Sequence, residues 1–290
     1  MHARQGDWCI GNIAVSKTAA PGSIPGSPAR IGPKGSVRNV REHVFVRRSE
    51  ADRDHVRQLL TEGLPDREIG LLTGVSPNTI GRWRRSWPPI EVRWRPAHEA
   101  SYAYLLGLYL GDGCLSAVRG GAVLRVSCDL RYPRIIDDCR TAMVLSVPRC
   151  RPGIASYSDA QAVNVTACGK LWLHAFPQHG PGRKHERPIV LEPWQQRIVD
   201  RHPGDFVRGL IHSDGCRTIN RFRTTLPSGR IAEYAYARYF FSNLSGDIRT
   251  LFCAACDALG VRWTLSNPRN VSISHRDSVA ALDALGCAKD

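Results

Sequence analysis

Two stretches of this chain combine a nearly unbroken apolar run with small residues at fixed places, and both predict buried helices. The first reads Leu105-Leu106-Gly107-Leu108-Tyr109-Leu110-Gly111-Asp112-Gly113, and the second reads Val207-Arg208-Gly209-Leu210-Ile211-His212-Ser213-Asp214-Gly215. Each carries a small residue at its third and seventh places. Residues four apart share one helical face, and small ones there let a second backbone approach closely. Each stretch ends in Asp-Gly followed by a cysteine, Cys114 or Cys216. If the two faces meet, Asp112 and Asp214 arrive together at the C-terminal end of the pair, where peptide dipoles already place negative charge. Two carboxylates gathered there repel and require a cation. A hard divalent ion fits, magnesium above all, with Asp112, Asp214 and the backbone oxygens of Gly111 and Ser213 as candidate ligands. A single such stretch reads more readily as an ordinary buried helix ending in an Asp-Gly turn. Its recurrence, 214 − 112 = 102 residues later and with the same layout behind it, sets the pair apart.

The residues behind the two stretches are periodic in the same order. Behind Asp112, alternation predicts strands over 115–118 and 123–130 around Arg119-Gly120-Gly121. A helix over 133–145 presents Ile135, Ile136, Cys139, Met143 and Val144 as an apolar stripe. A second hairpin, 149–157 and 161–167, turns at Ser158-Asp159, and a helix over 169–176 closes the half. Behind Asp214 come strands 216–226 and 231–244, a helix over 247–259, strands 262–266 and 271–275, and a final helix over 277–285. The fold class is therefore α+β: two pseudo-symmetric αββαββα halves, 98–195 and 196–290, packed through the two motif helices.

The region 49–87 carries a different, purely helical pattern. Val56, Leu59 and Leu60 form the apolar face of a first helix ended by Gly63, and a second helix over 65–72 buries Ile69 and Leu72. Thr73-Gly74-Val75 makes a tight turn, then Ser76 caps a third helix with Pro77 just inside it. This layout resembles the helix-turn-helix domains of resolvases and related regulators. Ile80 and Trp83 face the core of that unit, leaving Asn78, Thr79, Arg82, Arg84 and Arg85 as candidate DNA contacts. A stiff linker, 88–97, comes next. Ahead of the unit, residues 1–45 hold Pro-Gly-Ser clusters interspersed with basic residues, the composition of a disordered tail.

Net charge and cysteines narrow the partners. The chain is 290 residues long with a formal charge of +14, which points to a polyanion, and nucleic acid leads. Lysine occurs only at positions 17, 34, 170, 184 and 289, so arginine supplies nearly all of that charge. Arginine forks suit phosphates and guanine edges. Cys253 and Cys256 form a lone CxxC inside a helical pattern, with no second pair to complete a zinc site, and read as buried thiols. No apolar run approaches the ~20 residues of a membrane span. The chain reads as a protein of the bacterial cytoplasm, associated with the nucleoid.

Two Asp-terminated helices, each opening an αββαββα unit about a hundred residues long, resemble the LAGLIDADG homing endonuclease family in its monomeric, two-motif form. The resemblance spans residues 98–290. It implies that the motif helices form the central interface and that two antiparallel sheets make a saddle over the DNA major groove. The last acidic residue of each motif, here Asp112 and Asp214, would bind divalent metal for phosphodiester hydrolysis. An earlier acidic position, variable in the family, is Leu110 in one copy and His212 in the other. A basic residue near the scissile phosphate maps to Lys184, with Lys170 as the alternative, and the second half has no clear lysine match. Arg125 on the 123–130 strand, Arg217, Arg221 and Arg223 sharing one face of the long hairpin, Arg238 on its second strand, and Arg149, Arg151 and Arg262 on the shorter strands are the candidate DNA-binding arginines. The activity implied is a site-specific, metal-dependent double-strand break. The rival is a DNA-binding transcriptional regulator derived from the same fold, without cleavage, and a splicing maturase of that fold is a third reading.

Overall fold

A computed structural model describes residues 48–156 and 161–289. The tail expected over 1–45 and the turn at Ser158-Asp159 lie outside the described residues. Three short helices come first: α1 (Glu50–Thr61), α2 (Asp66–Thr73) and α3 (Pro77–Ser86). Ser49 caps α1 in a reciprocal bond with Asp52, and Ser76 caps α3 by accepting from the Thr79 amide at 3.3 Å. Between α2 and α3, Gly74 adopts φ +67°, the left-handed conformation that ends a helix tightly. Val56, Leu59, Leu60, Ile69, Val75, Ile80 and Trp83 enclose an apolar cluster of their own. Leu72 departs from expectation: it is 59% exposed, because Ile69 alone of its turn faces that cluster.

The rest is α+β. Helix α4 (Glu99–Asp112) leads into β1 (Gly113–Val118), β2 (Gly121–Asp129), α5 (Pro133–Ser146), β3 (Gly153–Ser156), β4 (Ala162–Gly169) and the single turn α6 (Trp172–Ala175). The order recurs in α8 (Pro203–Asp214), β5 (Gly215–Thr225), β6 (Ile231–Ser242), α9 (Gly246–Ala258), β7 (Thr264–Asn267), β8 (Asn270–Ile273) and α10 (Arg276–Ala284). Each half builds a four-stranded antiparallel sheet, ordered β1-β2-β4-β3 and β5-β6-β8-β7. Alternation gives each sheet one dry face. Leu124, Val126 and Val165 line it in the first, and Tyr239, Phe241, Val271 and Ile273 in the second, all fully buried. The opposite faces are open.

Two differences from the sequence pattern bear on function. The segment between the halves contains a helix, α7 (Pro193–Arg201), that the sequence pattern does not predict. Its Gln195 bonds the Tyr102 hydroxyl at 2.7 Å and accepts from Gln178 at 2.5 Å, a buried polar network that fixes the connecting loop against α4. The outer strands are also shorter than expected, so Arg149, Arg151 and Arg262 lie in the loops before β3 and β7 instead of on them. At Arg149 the cause is local, since its φ of 67° is incompatible with a strand.

Candidate active site

Helices α4 and α8 cross through their small residues. A Cβ placed on Gly107 would stand 2.6 Å from the Phe206 carbonyl and 2.7 Å from the Leu210 amide, and one on Gly209 would collide with the Tyr104 carbonyl. The two backbones therefore touch, and only glycine permits it. Around this contact Leu105, Leu106, Phe206, Val207 and Leu210 are fully buried. Each such side chain contributes roughly 1.5–3 kcal/mol when removed from water, so the crossing is strongly held. One turn further, a Cβ on Gly111 would reach within 2.9 Å of the Asp214 carboxylate. The two acids thus end adjoining helices, as the repeated pattern predicts.

Their electrostatics follow from that placement. Asp112 opens to solvent in a recess crowded by protein, and partial desolvation raises its pKa while Lys184 and Lys289 oppose the rise. Asp214 is less accessible. Burial, reinforced by the charge of Asp112, pushes it up to about 6. Asn243, directly after β6, donates to Asp214 Oδ2 at 2.6 Å and fixes that carboxylate's orientation.

Two ammonium groups complete the site. Lys184 Nζ donates to the carbonyls of Tyr109 (2.5 Å), Leu110 (3.0 Å) and Gly111 (2.7 Å), capping the C-terminus of α4. Burial lowers its pKa to about 8 against the pull of Asp214 and Asp112. The loop that delivers it is braced by Arg187, which donates to the carbonyls of Gln178 and Gly182, and by Asp247 of α9, which accepts from the Ile189 amide at 2.8 Å. Lys170, the alternative, is exposed just past the end of β4, beside the Gly120-Gly121 turn and so at the far end of β1 from Asp112.

Lys289 is a site residue that the sequence pattern does not reveal. Its Nζ donates to the Ser213 carbonyl at 2.9 Å, capping α8 as Lys184 caps α4, and burial lowers its pKa too. The turn that carries it is anchored by His212, whose Nε2 lies 3.0 Å from the Gly286 carbonyl and whose Nδ1 meets the Tyr104 hydroxyl at 2.9 Å. His212 is a structural strut. No periodic pattern marks the last residues of the chain; the placement of a lysine behind each half is the available signal.

The donor set around the acids consists of oxygens only: two carboxylates and the terminal carbonyls of Gly111 and Ser213. That chemistry fits a hard divalent cation. Among the described residues no cluster of three or more His, Cys, Asp or Glu side chains offers another site. Loading the pair would require Lys184 and Lys289 to share or yield those two carbonyls.

The arginines separate by position. Arg125 points to the open face of the first sheet, where its guanidinium donates to Ser116 Oγ at 2.6 Å. Arg238 lies on the open face of the second, bonded to Ser272 Oγ and stacked 4.1 Å from the Phe240 ring. Arg217, Arg221 and Arg223 do share a face, but it is the face of Tyr239, turned towards the helices. Arg217 is held by Asp283 of α10 through two bonds of 2.8 and 2.9 Å, and Arg223 pairs with Glu233 at 2.7 Å. Arg262 contacts His275 at 3.0 Å and Arg149 pairs with Glu68 of α2 at 2.6 Å, while Arg151 is exposed. In the helical unit Asn78 and Arg85 are exposed, Thr79 and Arg82 are half-buried or exposed at the helix surface, and Arg84 is paired with Asp66.

Among the described residues, no helix is long and apolar enough to cross a membrane. No family model matches this chain, and no curated protein sequence does. Solved structures similar to it include I-DmoI in complex with DNA and Mn, at 18% identity over 64% of this chain and 96% of the other, with a TM-score of 0.43. They also include the LAGLIDADG meganuclease I-AabMI bound to uncleaved DNA (9% identity, 63% and 82% coverage, TM-score 0.40). Full-length DUF199/WhiA from Thermatoga maritima is similar at 16% identity, 65% and 55% coverage and a TM-score of 0.40.

Proposed function

We propose that this chain is a site-specific, metal-dependent DNA endonuclease that makes a double-strand break by hydrolysing phosphodiesters. The observation that carries the reading is the doubled site: two acids on adjoining helix ends, each beside a lysine on that helix's terminal carbonyls. Asp112 and Asp214, with the Gly111 and Ser213 carbonyls, would hold the divalent ion, magnesium by donor chemistry. When bound, such an ion polarises a phosphoryl oxygen and lowers the pKa of its water. Lys184 and Lys289 act as the chain's own cations: each stands where charge develops on a phosphate lying over the site. Asn243 keeps Asp214 aimed at the shared position. Two equivalent stations, one per half, suit two strands.

The open sheet faces, with Arg125 and Arg238, would line the duplex. The α2–α3 helix-turn-helix, through Asn78, Thr79, Arg82 and Arg85, would add affinity, and the protein would act as a monomer in the bacterial cytoplasm, at the nucleoid. A second reading, a regulator that binds without cutting, draws on one observation: Lys184 already occupies the Gly111 carbonyl that a metal would use. A plasmid library incubated with magnesium or manganese separates the two. The endonuclease reading expects linear products from a rare long site, and Asp112→Asn or Asp214→Asn that bind but do not cut. Tight binding to one duplex with no cleavage under any divalent metal overturns it in favour of the regulator.

A further inference from the structure

The two sheets present unlike open faces. In the first, Ser116, Val118, Val123, Ser127, Asn164 and Thr166 surround Arg125, and none is aromatic. In the second, the hairpin runs further, with strands of 11 and 12 residues against 6 and 9. Register puts Phe222 opposite Tyr234 and Asn220 opposite Tyr236, on the side away from the helices. The Phe222 and Tyr234 rings stack at 5.1 Å, and Tyr236 meets Phe222 edge-on at 6.1 Å. Asn220 Nδ2 donates to the Tyr236 hydroxyl at 2.8 Å, which holds that ring in place. The three rings are nevertheless 44%, 44% and 38% exposed. A prearranged aromatic cluster left open to water marks a contact surface.

Its neighbours constrain what covers it. The face runs without interruption from Cys216, two residues past Asp214, through Arg238 to the cluster, on a chain of charge +14. Duplex DNA over the acid pair would continue along it. In the major groove the one apolar group at a base edge is the thymine C5-methyl. We propose that Phe222, Tyr234 and Tyr236 form a thymine-reading patch that makes the second half's share of the target rich in A·T pairs. Phe222 stands 222 − 214 = 8 residues beyond Asp214, or ~26 Å at ~3.3 Å per strand residue. At ~3.4 Å per base pair, the thymines lie about 8 base pairs from the acid pair, on one side only. This deepens the DNA-cutting reading and rests on its DNA-binding part.

The test selects preferred duplexes from a random library with the full chain in metal-free buffer. Thymines are expected roughly 7–9 base pairs from the centre on one flank, and not at the mirror positions. Replacing them with deoxyuridine removes only the methyl and should weaken binding about tenfold per methyl. Phe222→Ala and Tyr234→Ala should bind more weakly but lose sensitivity to deoxyuridine. Thermal melts check that both variants fold as the parent does, as expected for half-exposed hairpin positions. Specific duplex binding indifferent to the methyl overturns the patch while leaving the DNA reading intact. Absence of duplex binding overturns both, and so does preference for single-stranded nucleic acid. A concentration-dependent dimer abolished by Phe222→Ala would overturn the patch by giving it to self-association.

Discussion

Replacing Asp214 by asparagine should stabilise the metal-free protein at neutral pH. Burial and the charge of Asp112 push the Asp214 carboxyl from 3.8 to about 6. At ~1.4 kcal/mol per decade, that corresponds to ~3 kcal/mol against the ionised form in the fold. The carboxylate keeps some contact with water, which screens the penalty to ~1–2 kcal/mol. Asparagine removes the charge and can still accept from Asn243. Lys184, with its pKa already lowered to about 8, accommodates the lost partner by releasing its proton more readily. The direction of the shift sets the sign. A carboxyl whose folded pKa is raised carries no penalty below its ordinary value of 3.8, an increasing one as pH rises through about 6, and the full one above. Chelator-treated Asp214→Asn should therefore melt higher than the parent at about pH 7.5, by roughly 2–6 °C for a fold of this size, and no higher than the parent at about pH 4. Magnesium should raise the melting temperature of the parent and leave the variant unmoved. A variant that melts lower at neutral pH, or one that gains as much in acid, would refute the penalty that burial and Asp112 place on the ionised Asp214 carboxylate.

Other positions in the same geometry give further expectations. Gly209→Val places a side chain against the Tyr104 carbonyl and should cost at least ~3 kcal/mol in urea unfolding, whereas Gly229→Asn, at a hairpin tip with φ 78° and open space, should cost under ~1 kcal/mol. Arg217→Met breaks the paired bonds to Asp283 and should lower stability by ~1–2 kcal/mol without changing the salt dependence of DNA binding, because its guanidinium faces the helices. Lys289→Met and Lys184→Met should each slow nicking of one strand about 100-fold at unchanged duplex affinity, visible as accumulation of nicked circles before linear product; equal loss on both strands would contradict one lysine per station.

Much of the architecture is legible because it is written in periods. The 3.6-residue and 2-residue patterns place both motif helices and all four hairpins, and repetition identifies Asp112 and Asp214 together. Periodicity leaves open which side of a strand meets the helices. Arg217, Arg221 and Arg223 share a face by alternation alone, yet only the packing of Tyr239 against α10 shows that the face is the inner one. Arg84 reads as free on its helix because Asp66, its partner, sits 18 residues earlier on α2. Helix α7 is hard to detect because its buried side carries a glutamine, and Gln195 reads as polar until its partners Tyr102 and Gln178 are known. Lys289 lies past the last periodic element, where a side chain's destination depends on how the chain turns back.

The glycine crossing of α4 and α8 sets, through main-chain contact, the separation of the two backbones that carry the acids. The acid pair and the hairpin faces are thereby uncoupled. On the endonuclease reading, hairpin positions such as Phe222, 222 − 214 = 8 residues beyond Asp214, would be free to change base preference while the interval between the two acids stays calibrated. On that reading, redesign for another target would change the hairpins and inherit a fixed stagger.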